Sequence, residues 1–356
     1  MPPPATHRPR LDPAIFNLPV ARMREGYYSD KYFVRARDVL IADRHRPSVT
    51  MQVFGKTHAY LGGADEAIAI LKLCAQSWGE LKVSALYDGD EVAPWETVLL
   101  IEGPYDAFAN LETLYLGVLA RRTKVGTNTR RVVEAARPKQ VMFFPARHDH
   151  WLVQTGDGYA AHIAGAIGVS TDAQASWWGS EGVGTVPHAL IAAYGGDTVR
   201  ASLKFAEHMD GDTRLITLVD FENDCVGTSL QVARALGERL YGVRLDTSET
   251  LVDTSIVPEM GTFRPTGVNP QLVWKVRRAL DREGFTRVKI VVSGGFTVEK
   301  IRAFEEEDVP VDMYGVGSSL FQGRYDFTAD IVRVEGKPCA KVGRSYRPNP
   351  RLERVP

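Results

Sequence analysis

The sequence predicts an α/β protein with an α+β companion: an irregular, incomplete α/β barrel joined to a discontinuous α+β domain built from both chain ends. Three observations predict it. Two apolar runs end in glycine turns, Val288-Lys-Ile-Val-Val-Ser-Gly-Gly-Phe-Thr297 and Val311-Asp-Met-Tyr-Gly-Val-Gly-Ser-Ser-Leu320, with a helical apolar period from Thr297 to Glu307 between them. After Pro138, short apolar runs alternate with helical stretches, the rhythm of a parallel sheet. Beyond Gly323 the pattern returns to strands, which are expected to rejoin the first domain.

In chain order, residues 1–24 read as a loose, proline-punctuated tail, 25–137 as the α+β domain, 138–323 as the barrel and 324–356 as the returning strands. Within the first domain, Ser29 to Leu40 reads as a helix capped by Ser29 or Asp30, Val49 to Phe54 as an alternating strand, and Ala64 to Cys74 as a compact apolar helix. Leu81 to Leu86 and Thr97 to Ile101 read as strands around Asp88-Gly-Asp90. A helix is expected from Ala107 to Ala136, broken near Gly126. In the barrel, the strands are Val141-Met-Phe-Phe144, Leu215 to Val219, Tyr241 to Leu245, Lys289 to Val292 and Val311 to Tyr314. The helices are Gly158 to Ile167, Thr228 to Leu236 and Gln271 to Glu283. The strands fall short of a complete eight-fold barrel. Thr328 to Val334 and Pro338 to Val342 form the final strands around Glu335-Gly336.

The 356 residues suffice for more than one domain, and 44% hydrophobic with 24% charged residues is a globular balance. A formal net charge of -1 gives no global field favouring nucleic acid or an anionic membrane. No apolar run spans a bilayer, and the N-terminus lacks a signal-peptide core. Cys74, Cys225 and Cys339 are isolated, with no CxxC and no metal-ligand spacing, which suits a reducing cytoplasm.

Candidate chemistry gathers at strand ends. Gly294, Gly295, Gly315, Gly317 and Ser318 would let backbone N–H groups approach a phosphate, with a helix N-terminus adding positive potential. Asp220 and Asp246 close two strands and could bind ribose hydroxyls, hold Mg²⁺ beside phosphates, or simply cap turns. Arg147, His148 and His150 follow Phe144. Arginine grips a planar carboxylate with two parallel hydrogen bonds, and Phe144 could stack on an aromatic ligand; a charged surface loop reads the same way. His188, between glycines, a proline and an apolar helix, could carry a proton, attack phosphate, or be structural. Lys337, Lys341 and Arg344 form a basic stripe that either contacts pyrophosphate or keeps a sheet edge soluble.

The chain resembles the nicotinate phosphoribosyltransferases from about Gly26 to Arg344. The motifs are Gly-Tyr-Tyr-Ser-Asp-Lys-Tyr-Phe33, Leu-Glu-Thr-Leu114, Pro-Ala-Arg-His148, Gly-Thr-Val-Pro-His188, Thr-Leu-Val-Asp220, Val-Arg-Leu-Asp-Thr247, Val-Ser-Gly-Gly295, Tyr-Gly-Val-Gly-Ser-Ser319 and Lys-Pro-Cys-Ala-Lys-Val-Gly-Arg344. The resemblance implies transfer of phosphoribosyl from phosphoribosyl pyrophosphate to nicotinate, coupled to ATP through phosphorylated His188, with Mg²⁺ carried by the pyrophosphate near Asp220 and Asp246 and no protein-only metal site. It further implies Arg147 on the nicotinate carboxylate and Phe144 and Tyr32 around the pyridine, Tyr32 coming from a second subunit of a homodimer or higher oligomer. Arg244 counts among the substrate-binding residues, the five turn residues hold the 5′-phosphate, and Lys337 and Lys341 reach pyrophosphate. His148 stands where relatives often carry a second basic residue, Cys339 alone cannot form the metal knuckle some relatives have, and Ser248-Glu249-Thr250 replaces an expected basic loop.

The rival readings are a nicotinamide-using enzyme, for which Asp172 would accept the amide, and a phosphoribosyl-binding regulator without catalysis. A decarboxylating quinolinate enzyme would need a richer cationic pocket. A Schiff-base aldolase would need a lysine at a strand end, whereas Lys289 lies inside a strand.

Overall fold

The computed structural model describes residues 8–210, 213–261 and 263–356. The chain divides into two units, residues 1–127 with 322–356, and residues 128–321. The first boundary falls inside a continuous helix, Glu112–Ala136, rather than after it at 137/138. The expected break at Gly126 is absent, since Val125, Gly126 and Thr127 are all buried along that helix.

In the first unit a six-stranded antiparallel sheet runs in the order Lys337–Pro338, Phe327–Val334, Ser48–Gly55, Thr97–Pro104, Lys82–Ala85, Glu353–Arg354. The C-terminal strand Phe327–Val334 pairs along Ser48–Gly55, with Val53 opposite Ala329. Ser48–Gly55 is flanked on both sides, so it is buried almost throughout. Met51, Val53, Val83, Ile101 and Tyr115 form the core together with Ile68 and Leu71 of the helix Ala64–Cys74. That helix opens with buried Asp65 and Glu66, which suit its positive N-terminal end and are met by Arg10 and Arg122 at 2.7 and 2.9 Å.

Residues 8–24 are not a loose tail. Arg10 bonds Asp65 and the carbonyls of Ala85 and Leu86, and its guanidinium lies 3.9 Å from the Tyr87 ring centroid. Leu11 donates its N–H to Asp65, Phe16 is buried, and Val20–Glu25 is helical. The sequence hides this because the anchor is an arginine meeting a carboxylate far along the chain. Residues 1–7, the start of the expected tail, lie outside the described residues.

The second unit holds a six-stranded parallel sheet in the order Gly168–Val169, Gln140–Phe143, Met313–Val316, Lys289–Val292, Leu240–Leu245, Leu215–Leu218. Helices cross between the strands, including Gln154–Ile163, Cys225–Leu236, Pro270–Arg282 and Val298–Glu306. Thr198–His208, another, has no counterpart in the sequence reading. The two sheet edges are spanned by 183–186: Val183 N–H bonds Val169 O at 2.8 Å, and Val186 N–H bonds Ile216 O at 2.9 Å. This irregular closure explains why too few strands for an eight-fold barrel suffice.

Among the described residues no helix is long and apolar enough to cross a membrane. Arg10→Met would strand buried Asp65 beside Asp88, whose carboxyl is already held above the usual range by burial and by Asp65. Removing one partner of such a pair is expected to cost about 3 kcal/mol. Urea unfolding checks this, and an unchanged midpoint would contradict the anchoring role.

Candidate active site at the carboxyl ends of the parallel strands

Parallel register decides which side chains meet. Val291 stands opposite both Arg244 and Met313, Leu218 opposite Arg244, and Gly315 opposite Met142. Side chains alternate faces along a strand, so residues two apart share one. The face that carries Met142, Ile216, Val291 and Met313 as an apolar cluster, with Phe144 packed on it, therefore also carries Arg244, Asp246, Ser293, Gly315 and Gly317. Toward the carboxyl ends, an apolar plug gives way to a polar layer.

Arg244 organises that layer. Its Nε donates to Ser293 Oγ at 2.8 Å, and its two terminal nitrogens donate to Thr185 Oγ1 and Asp246 Oδ2, each at 3.3 Å. Ser293 Oγ in turn donates to Asp246 Oδ1 at 2.6 Å. The guanidinium carbon lies 5.2 Å from the centroid of the Phe144 ring. Burial makes this arrangement costly to break, since the Arg244 and Asp246 side chains are only 18% and 19% exposed.

His188 opens the short helix His188–Ala193 immediately after the Val186 bridge to Thr217. Its Nε2 meets Asp220 Oδ1 at 2.9 Å. That hydrogen bond raises the imidazole pKa, burial opposes the rise, Asp220 and Asp246 add to it through their charge, and Arg244 lowers it. If Nε2 carries the proton that Asp220 accepts, Nδ1 is left with a lone pair.

The glycine turns lie on neighbouring strands. Val292 pairs with Tyr314, and each strand reaches its turn within a few residues. Gly294 and Gly295 have φ of 86° and 64°, which non-glycine residues rarely adopt. Among the described residues no acceptor is found for the N–H of Gly294, Gly295, Gly317 or Ser318. Thr297 caps the helix that follows the first turn, accepting from Lys300 N–H at 3.3 Å. Gly315 departs from its expected role. It is a strand residue paired with Met142, and its missing side chain makes room for the Phe144 ring, which a Cβ would approach to 2.6 Å. The His148 ring lies against Gly317, at 3.0 Å from where a Cβ would stand.

The remaining candidates make other contacts or belong to the first unit. Asp172 is exposed, and its Oδ1 accepts the Gly182 N–H at 2.8 Å, a loop contact rather than a free acceptor. Tyr32, Lys337 and Lys341 are exposed and belong to the first unit. Lys289 pairs with Asp312 at 2.9 Å, which raises its pKa, the opposite of what a Schiff-base lysine needs. Among the described residues no three His, Cys, Asp or Glu side chains converge on a metal position. The sequence reading missed Ser293, because it sits inside an apolar run, and Thr185, because its partner is remote.

Partly buried acids, a fixed arginine and two adjoining glycine turns at the carboxyl ends of a parallel sheet define a half barrel whose site is built from strand ends. Models of the quinolinate phosphoribosyl transferase N-terminal and C-terminal domains match residues 30–123 and 125–325, and the chain belongs to that family. Nicotinate phosphoribosyltransferase pncB1 of Mycobacterium tuberculosis is 32% identical over 274 residues, 74% of this chain and 56% of that protein. Nicotinate phosphoribosyltransferase of Bacillus subtilis is 24% identical over 66% of this chain and 45% of its own length. The chain thus spans about half the length of the curated relatives it matches. A crystal structure of nicotinate-nucleotide pyrophosphorylase from Pyrococcus furiosus superposes with a TM-score of 0.79 at 35% identity, over 94% of this chain and 84% of that one. Human nicotinic acid phosphoribosyltransferase shares the fold, with a TM-score of 0.65 at 17% identity, over 87% of this chain and 75% of that one. The nicotinate name expected from the motifs recurs among the curated relatives, while the matching family models carry the quinolinate name.

Asp220→Asn removes the main cause of the raised His188 pKa. The imidazole titration midpoint, followed by NMR, is expected to fall; a midpoint that stays in place would show that the pair does not couple.

Proposed function

We propose that this protein transfers a phosphoribosyl group from phosphoribosyl pyrophosphate to nicotinate, releasing pyrophosphate. The observation that carries this is the contrast between two arginines. Arg244 is committed to Asp246, Ser293 and Thr185. Among the described residues no carboxylate lies within ion-pair distance of Arg147, which follows Phe144 on the same loop. One uncommitted guanidinium suits a ligand with one carboxylate, more than quinolinate with two or nicotinamide with none.

In this reading Phe144 offers its ring to the pyridine, and the N–H groups of Gly294, Gly295, Gly317 and Ser318 hold the 5′-phosphate. Asp246, oriented by Ser293 and Arg244, faces the ribose. Departure of pyrophosphate leaves positive charge at the ribose C1 carbon, which the carboxylates of Asp220 and Asp246 favour. The pyridine nitrogen then attacks, so alignment matters more than a strong base. The hard oxygen donors of Asp220 and Asp246 suit Mg²⁺, which would neutralise the leaving group.

ATP coupling belongs to the same proposal. Asp220 on Nε2 of His188 would leave Nδ1 as the nucleophile toward a γ-phosphate, with transfer of the phosphoryl group from ATP to nitrogen and release of ADP. The raised pKa means that phosphorylation increases as pH rises through it, because the protonated ring has no free lone pair. Roles for Tyr32, Lys337 and Lys341, and the dimer that would supply Tyr32, are part of this reading.

Turnover with nicotinate, quinolinate and nicotinamide in parallel tests the base, and product formed only from quinolinate or nicotinamide would overturn it. Binding of phosphoribosyl pyrophosphate without pyrophosphate release from any base would favour a regulator. Acid-labile label from [γ-³²P]ATP is expected on the wild type and absent from His188→Ala; equal labelling would remove His188 from the scheme.

A further inference from the structure

Beyond the turn's backbone groups, one cation and one anion lie on the cradle itself. Lys300 stands in the first turn of the helix Val298–Glu306. Its Nζ donates to the carbonyl of Gly294 at 3.2 Å and lies 4.4 Å from the centroid of the Phe296 ring. The side chain is 23% exposed, and its nearest acidic partner, Glu249 Oε1, is 3.9 Å away, too far for a hydrogen bond. Burial pulls the ammonium pKa down, Glu249 opposes this, and Arg264 adds to the depression. A lysine bound to a turn carbonyl and poorly neutralised has spare capacity for an anion.

Glu249 supplies that anion in the present arrangement. A Cβ on Gly295 would overlap its carboxyl group. The carboxylate therefore fills the space that the absent side chain opens, which is the approach a phosphate would use. Its backbone is pinned, since Gly267 packs on the Glu249 α-carbon and Val252 bridges to Thr266. The side chain itself remains half exposed and can swing away.

We propose that Lys300 is a binding residue for the phosphate of the phosphoribosyl substrate and that Glu249 is an internal anion occupying this place until the phosphate displaces it. This rests on the reading of Gly294 and Gly295 as the phosphate turn and adds the side chains that tune it. Charge repulsion from Glu249 weakens any anion that does not displace the carboxylate, so the pair also sets how strongly the free site holds phosphate.

Calorimetric titration of the full chain with ribose 5-phosphate, and separately with inorganic phosphate, tests the proposal. Glu249→Gln is expected to bind ribose 5-phosphate about fivefold more tightly, and Lys300→Gln about tenfold more weakly, the scale of one partly screened charge contact. Lys300→Arg should keep most of the affinity, which a purely structural role for the lysine alkyl chain would not require. Unchanged or weaker binding by Glu249→Gln overturns the competitor role, and unchanged binding by Lys300→Gln overturns the lysine's. If these variants match wild type while Gly295→Ala loses binding, the phosphate turn stands and this inference falls. If wild type and all variants bind neither probe, the phosphate turn falls as well.

Discussion

Burying the charge of Arg244 at the open end of a parallel sheet is the constraint around which the second unit is organised. The guanidinium has five donors and cannot shed its proton, so every arrangement must supply acceptors for it. Ser293 and Asp246, from the ends of two adjacent strands, and Thr185, from the segment that spans the sheet edges, meet that need. Satisfying one arginine therefore ties three parts of the chain into one geometry. Asp246 is fixed twice, by Arg244 and by Ser293, and so is a preoriented carboxylate rather than a mobile one.

The electrostatic layer rests on apolar packing below it. Met142, Ile216, Val291 and Met313 close the interior, and Phe144 packs on them while offering its ring to the polar side. This sequence along the strands, from plug to ring to charge, gives a floor with low polarisability under groups whose interactions water would otherwise screen. The positive and negative groups alternate across the site: Asp220 beside His188, Asp246 beside Arg244, and Glu249 near Lys300. Such alternation keeps the summed charge of these groups small.

Much of the fold was legible because local rules and tertiary demands agree in particular segments. Ala64–Cys74 has its apolar period, acids in its first turn and a glycine before it, and it forms over that span. Pro270–Arg282 has an asparagine cap and a proline in its first turn, and it begins one residue before the expected start. The hidden parts depend on remote partners. Gly168–Val169 is a two-residue strand defined only by its neighbour, and 183–186 holds the sheet edges through backbone bonds that leave no side-chain pattern. In the site, Asp220, Asp246 and His188 stood out by position, yet their pairing did not: His188 and Asp220 meet across a turn, a helix and a strand. Glu249 stood out only as part of a segment replacing an expected basic loop and Lys300 not at all, because the approach of Glu249 to the Gly295 turn is made by the folded sheet and leaves no local pattern.

The segment 183–186 is the seam of the ring. Regular strands on either side are stitched by successive ladder pairs, whereas this stretch meets one neighbour through the Val183 N–H on Val169 O and the other through an isolated bridge at Val186. It ends two residues before His188 and also contains Thr185, one of the acceptors that steady Arg244. The sheet thus holds both the approach to His188 and a tether of Arg244 on one irregular stretch. The histidine's partner Asp220 and the arginine's tether Thr185 are joined through one short stretch of backbone rather than through the ladders that bear the fold.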